Sequence, residues 1–484
     1  MRSVAVPVWG VALLIYCGCA EEGSLRESPV NPRSSHPSQL LTQIIWDAFL
    51  SFQGPTPLYA SRMLVLTDTE SAHQYYKWSR GEYAFAALRN VEKMREESVR
   101  FEEPVYPAIA HFFRAYYFLH MALTFGDIPY REALKGESEG IDKPVYDSQE
   151  EVIEGILAEL EAADEILEAL PAEVTLAGDI IYKGDVDKWR RLINAFRLKT
   201  LLMLSKRAGD DRPEVGRRFA AIYKGAPLLR DVGDDGQLVF LDRTGNRYPE
   251  FNSSRYNSGI YVDSTFISLL QTHKDPRLFV FCAPTKVARE AGKAVNNFSA
   301  YEGGDPAAPY DLVNTKAAAG RVSKVHERYY QNPVAEPVWV LGYAEQQFIL
   351  AEAAEYGWIA ADAGALYATG VRAAFGFYGL SEAVEEYLRD PQHRLEDIPS
   401  EEGRIEAIIT QKYFQSFLQG KWTPYFDHLR TGYPAFRCPE GVKVPYRWQY
   451  PLAEYQTNAE NLRVALQRQF AGVDEINRAT WLWH

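Results

Sequence analysis

Few groupings in this 484-residue chain have the residue types and spacing that chemistry requires. Residues 136–140, GESEG, match the G-x-S-x-G pattern, in which a sharp strand-to-helix turn exposes a nucleophilic serine. Their flanks, REALK and IDKPVY, offer neither the apolar strand nor the helix, so nothing would activate Ser138. DVGDDG at 231–236 clusters carboxylates as a hard cation would need, but the downstream glutamate of a helix-loop-helix calcium site is missing. A solvated turn fits that stretch better than a loose calcium site. His111 and His120 lie nine residues apart, too far to share a helix face around one metal, and read as packed or hydrogen-bonded rings. The sequence has no H-x-x-x-H pair, phosphate loop, dinucleotide glycine pattern or paired CxxC. No catalytic residue, metal site or cofactor is predicted.

The unusual resource is aromatic: 30 Tyr, 24 Phe and 10 Trp. That load exceeds what a core of this size needs, which points to rings facing a ligand or partner. Such rings must be held by a frame, and the frame is helical. Residues 339–380 read as two antiparallel helices. From Ala344, the positions Phe348, Ala351 and Glu355 fall on one face, with Leu350 and Ala354 widening the apolar side. Gly357 stops the first helix, and Asp362 is placed to cap the second, which carries Leu366, Ala368, Val371, Ala374 and Phe375. Many alanines let two backbones approach closely, as in helical hairpins of the tetratricopeptide (TPR) type.

Further helices are predicted at 40–52, 83–99, 108–125, 147–170, 186–208 and 400–420. The stretch 108–125 is apolar nearly all round and belongs at the centre of a bundle. Between about 225 and 335 the texture turns to Gly, Asn, Asp, Pro and aromatic residues, with one short helix at 264–272 and a short strand at 237–241. Residues 421–484 read as irregular and Trp-rich. The fold class is mostly α: TPR-like helical hairpins with loop-rich insertions and a few short strands. Loops of this length on a rigid body carry function or move.

Residues 1–18 read as a secretory signal: Arg2 is the sole charge, an apolar run follows to Tyr16, and Gly18 ends it. Cys19 is then the lipidated first residue of the mature chain, preferred over Cys17 because the bulky Tyr16 suits a signal peptidase poorly. Residues 19–38 form a lipidated flexible tether rich in Ser, Pro and Glu, and 39–484 a single domain. Losing Arg2 moves the net charge from −13 to −14, which argues against a nucleic-acid partner. Cys282 and Cys438 remain in the folded body, paired or as two buried thiols.

Four stretches, in chain order, together resemble the SusD/RagB family of outer-membrane nutrient-binding lipoproteins, in its TPR-containing branch. RAYYFLHMALTFGDIPY at 114–130 resembles the family's arginine-aromatic helix and its F-G-D-[IV]-P turn. EPVWVLGYAEQQFILAEAAEYGWI at 336–359 is similar to its Y-A-E-x-x-F-x-x-A-E-A segment. The run 404–436 ends in its R-T-G-Y-P signature, and RWQYPLAEYQTNAENL at 447–462 resembles its Y-P-x-x-E-x-x-x-N-x-x-N segment. Glu21 and Glu22 after the cysteine resemble the surface-export signal of Bacteroidetes lipoproteins. The resemblance implies a non-catalytic, lipid-anchored protein at the outer membrane. Its partner would be a SusC-like TonB-dependent barrel, over which it closes as a lid to capture oligosaccharides, or oligopeptides in RagB-like members. Sugar rings stack their C–H faces on Trp and Tyr while Asn, Asp and Arg satisfy hydroxyls. On that chemistry the expected ligand surface comprises Tyr75, Tyr76 and Trp78 in one aromatic loop, Tyr248, Tyr256 and Asn257 in a second, and Tyr329 and Tyr330 before the hairpin. A TPR-type scaffold that binds only proteins is the reading from another class.

Overall fold

The structure, a computed structural model, describes residues 35–210 and 214–484. The proposed signal, Cys19 and most of the tether lie outside the described residues. Helices dominate, and among the described residues four short strands form two antiparallel pairs. The helix Val105–Phe125 packs on Gln149–Ala169, which packs in turn on Val186–Met203. On the other side Val105–Phe125 meets Phe85–Arg100, itself against Pro37–Leu50. Seventeen of the 21 residues in Val105–Phe125 are buried, which its all-round apolar sequence requires. None of the described helices is long and apolar enough to cross a membrane.

Local sequence sets the helix ends. Ser148 and Glu151 form a reciprocal capping box at the start of Gln149–Ala169, Asp185 caps Val186–Met203, and Asp362 accepts from the Ala365 amide at 3.0 Å. Gly126 ends the central helix at φ +91°, where a Cβ would also strike the Gln469 carboxamide. The hairpin of Tyr343–Glu355 and Ala363–Phe377 shows why small residues were needed. A Cβ on Gly370 would lie 2.6 Å from the Phe348 ring. Phe348 is fully buried, which stabilises the pair by roughly 1.5–3 kcal/mol.

The loop-rich region is tied to this frame at both ends. β1 (Leu64–Leu66) pairs with β3 (Ile260–Val262), Leu64 opposite Val262; β2 (Gly236–Leu238) pairs with β4 (Val338–Leu341). The region has its own apolar core, built from Ile260, Phe266, Leu270, Phe281 and Tyr329, into which the helix Glu401–Gln415 and the turn after it send Tyr413, Phe414 and Phe417. The expected helix at 264–272 is present, and a second of nine residues, Tyr310–Ala318, was not anticipated. Residues 421–484 are less irregular than their sequence suggests. They contain Thr423–Thr431 and Ala459–Phe470, the latter burying Leu462, Ala465, Leu466 and Phe470 along one stripe.

Candidate functional site

The signature segments converge in the interior. Glu352 of the hairpin, Lys412 of Glu401–Gln415, and Asp427 and Arg430 of Thr423–Thr431 form one buried network. Arg430 grips both carboxylates, with Nη2 at 3.0 Å from Glu352 and 2.8 Å from Asp427; Lys412 Nζ lies 2.9 Å from Asp427. Burial opposes ionisation of Asp427, but Lys412 and Arg430 outweigh it and hold the carboxyl below its ordinary value. The F-G-D-I-P turn is similarly internal. Asp127 accepts from the Gln149 amide at 2.8 Å and from Arg468 Nε at 2.7 Å, and burial raises it to about 6 against that cation's pull. The Tyr450 hydroxyl donates to the Asp127 carbonyl at 2.7 Å, and buried Arg447 donates to Asp474 at 2.7 Å. The acidic and guanidinium groups of these motifs therefore join helices and are matched within the protein.

Seven of the eight residues expected on a ligand surface lie in the interior. Trp78 stacks on Trp448 with centroids 4.6 Å apart and meets Trp422 and Tyr425 edge-on. Tyr76 lies under the Arg62 guanidinium and donates to the Ala60 carbonyl at 2.8 Å; Tyr75 donates to the Ala308 carbonyl at 2.8 Å. Tyr248 packs edge-on against Phe240, and Tyr329 packs on Phe417. Tyr256 stacks behind Tyr330 at 6.0 Å and 9°. Only Asn257 is exposed. The physical reason is size: a long loop cannot stay folded without an apolar core, and these large rings supply it.

One of the seven, Tyr330, also reaches a cleft. This opening of about 450 Å³ in the loop-rich region is walled by Tyr261, Lys286, Arg289, Lys324, His326 and Tyr330. Tyr261 is the middle residue of β3, so its neighbours Ile260 and Val262 point inward and its ring points out. The chain folds over there because Ala283 donates to the Lys324 carbonyl at 2.9 Å and Val287 to the Gly320 carbonyl at 3.1 Å. Those bonds bring Lys286 and Arg289 beside Lys324. Lys324 Nζ sits 5.4 Å from the Tyr261 centroid and donates to the Asn257 carbonyl. Burial, then the nearby Arg289 charge, lowers the Lys324 ammonium. Burial also lowers His326, so it is neutral near pH 7. An even wider hollow of about 730 Å³ beside the hairpin is lined by Arg372, Arg394 and Arg404, but these are paired with Glu385, Asp397 and Glu355.

The remaining candidate chemistry is absorbed by structure. Ser138 lies on an exposed one-turn helix, Gly136–Glu139. In DVGDDG, Asp234 is held by Arg230 at 2.9 Å and Asp235 accepts the Tyr343 amide at 2.6 Å. His111 lies 3.4 Å from Glu159, and His120 stacks on Phe52 with burial lowering it to about 3. Cys282 and Cys438 are free thiols.

Residues 29–451 match a SusD-like family described as starch-binding and associating with the outer membrane. The chain belongs to the SusD-like family. A SusD homolog from Bacteroides fragilis is 45% identical, with a TM-score of 0.87 over 93% of this chain and 99% of that one. An outer membrane protein from Bacteroides vulgatus, ascribed to nutrient binding, is 46% identical, with a TM-score of 0.88 over 93% and 100%. SusD-like protein P2 of Formosa agariphila is 36% identical over 91 residues, which span 17% of this chain and only 18% of that relative's length. A chitin-binding protein at 21% identity and a TM-score of 0.72 shares the fold. SusD-like proteins are non-catalytic binders with a helical, TPR-type body, and the family is associated with the outer membrane. Tyr261, Lys286, Arg289 and Lys324 were not singled out from sequence. Outward placement of Tyr261 was readable from the alternation in IYV, whereas Arg289 and Lys324 meet only through folding.

Proposed function

We propose that this chain is a cell-surface glycan-binding lipoprotein, lipidated at Cys19, that hands oligosaccharides to a SusC-like TonB-dependent barrel. Residues 1–18 would be the signal and the stretch from 19 the tether, which gives way to the folded binding unit at the helix Pro37–Leu50. The observation that carries this reading is the open cleft with the Tyr261 ring at its wall, whereas the wider hollow beside the hairpin has its arginines paired with carboxylates. An aromatic face beside donors suits a sugar, whose C–H face stacks while its hydroxyls accept. Nothing in this scheme requires bond-making by the protein.

Affinity electrophoresis of the full chain in detergent through gels containing plant, algal and microbial polysaccharides tests the binding. Retardation by at least one is expected, and free migration in all of them would defeat the glycan reading. Co-purification with a barrel from outer membranes tests the partner. For the anchor, Cys19→Ala should release the protein from the membrane fraction; a variant still anchored would move the lipid elsewhere.

A further inference from the structure

The chemistry of the cleft specifies more than a sugar. The chain carries a net charge of −13, yet Lys286, Arg289 and Lys324 wall this one opening against a single lining carboxylate, Glu327. Their internal partners are few. Arg289 has no hydrogen-bond or ion-pair partner for its side chain among the described residues. Lys286 has only a loose, exposed approach to Glu290 at 3.8 Å, and Lys324 donates to a neutral carbonyl. Elsewhere the arginines nearest a hollow are matched by carboxylates, as around Arg372 and Arg404. Glu290, Glu327 and Asp68 lie nearby without forming a close ion pair to Arg289 or Lys324, so the cations still repel one another, and an entering anion offsets that cost.

Resting on the glycan reading above, we infer that this cleft takes an acidic saccharide, its carboxylate or sulfate held by Arg289 and Lys324 while a sugar face lies on Tyr261. A guanidinium presents a planar fork that fits either anion, and the ammonium adds a point charge. Tyr330, stacked on Tyr256, closes the floor. An acidic peptide would satisfy the cations but would leave the Tyr261 face without a C–H surface to match.

Titration calorimetry on the full chain in detergent compares oligogalacturonate, a sulfated galactan oligosaccharide without carboxylates, maltoheptaose and oligoglutamate. One or both acidic saccharides should bind, and which of them does so names the anion. Maltoheptaose should bind at least about tenfold more weakly, and Arg289→Gln should cost the acidic ligand about tenfold, as loss of one charge-assisted contact does. Arg217→Gln, on the distant helix Val215–Gly225, should change nothing. Affinity should fall as salt is raised toward about 1 M. Maltoheptaose binding as tightly as the acidic saccharides, with Arg289→Gln indifferent, would overturn the acidic preference while leaving a glycan-binding protein. Oligoglutamate binding equally well would overturn the saccharide assignment, and silence from all four would refute the inference irrespective of the gel-retardation result. Thermal melts of both variants show that the fold is kept, as expected for exposed side chains.

Discussion

Two groups of charges in this molecule, one mixed in sign and one all basic, have opposite fates. Glu352, Lys412, Asp427 and Arg430 are almost completely buried, and each faces an opposite charge within the protein. Lys286, Arg289 and Lys324 stand in an open cleft with almost none. The first group joins three helices, because removing any member would strand a charge in a low-dielectric interior. The second contributes nothing comparable to the fold and is free to meet an anion. On the proposal above, charge that recognises a ligand is marked by its lack of an internal partner, while the charges in the signature motifs serve the frame.

The contrast yields a ranked set of expectations. Glu352→Ala should lose about 3–5 kcal/mol, because Arg430 is left buried without its main partner; chemical denaturation measures it, and a cost below about 1 kcal/mol would dissolve the distinction between the two groups. Trp78→Ala should cost about 3–5 kcal/mol by emptying the indole cluster, with ligand affinity of the folded fraction unchanged. Lost affinity at full stability would instead return Trp78 to the ligand surface. Gly370→Val should destabilise by about 1–3 kcal/mol, since its side chain meets the buried Phe348 ring.

A pH test probes the loop-rich region. Asp263 caps the helix Ser264–Thr272 through the Thr265 amide at 2.7 Å, while its other oxygen is buried without a partner. Burial raises its carboxyl to about 8, against the lowering pull of Arg62 and of the bonds to Thr265. The folded value exceeds the unfolded one of about 4, so the stability from the neutral acid is complete below about pH 4 and is lost as pH rises through about 8. The melting temperature should fall between about pH 4 and 8 and level off above that, and Asp263→Asn should flatten the fall; parallel curves would show that Asp263 ionises freely. The smallest effect belongs to Arg289→Gln, whose stability change should stay within about 0.5 kcal/mol in denaturant unfolding.

Legibility in the sequence followed the same divide. Helices with 3.6-residue periodicity and a side-chain cap, such as 149–169 after Ser148 and 363–377 after Asp362, were readable because their signals are local. Ala459–Phe470 was missed although Leu462, Ala465 and Leu466 follow helical spacing, because Trp and Pro nearby suggested irregular chain. The aromatic loops misled for a physical reason. Tyr and Trp serve equally as stacking platforms and as core, and only tertiary placement separates Trp78, against Trp448, from Tyr261, at the cleft. Arg289 and Lys324 are 35 residues apart in the chain, and the backbone bonds that unite them leave no trace in either local sequence.

On this proposal the helical body is a frame and the loop-rich region grips the nutrient. Amide hydrogen exchange across the full chain, with and without the saccharide that retards it, tests this most directly. Slowed exchange is expected at 283–289 and 320–330, with the hairpin 343–377 unchanged. Protection confined to the hairpin, with 283–289 and 320–330 unaffected, would contradict it.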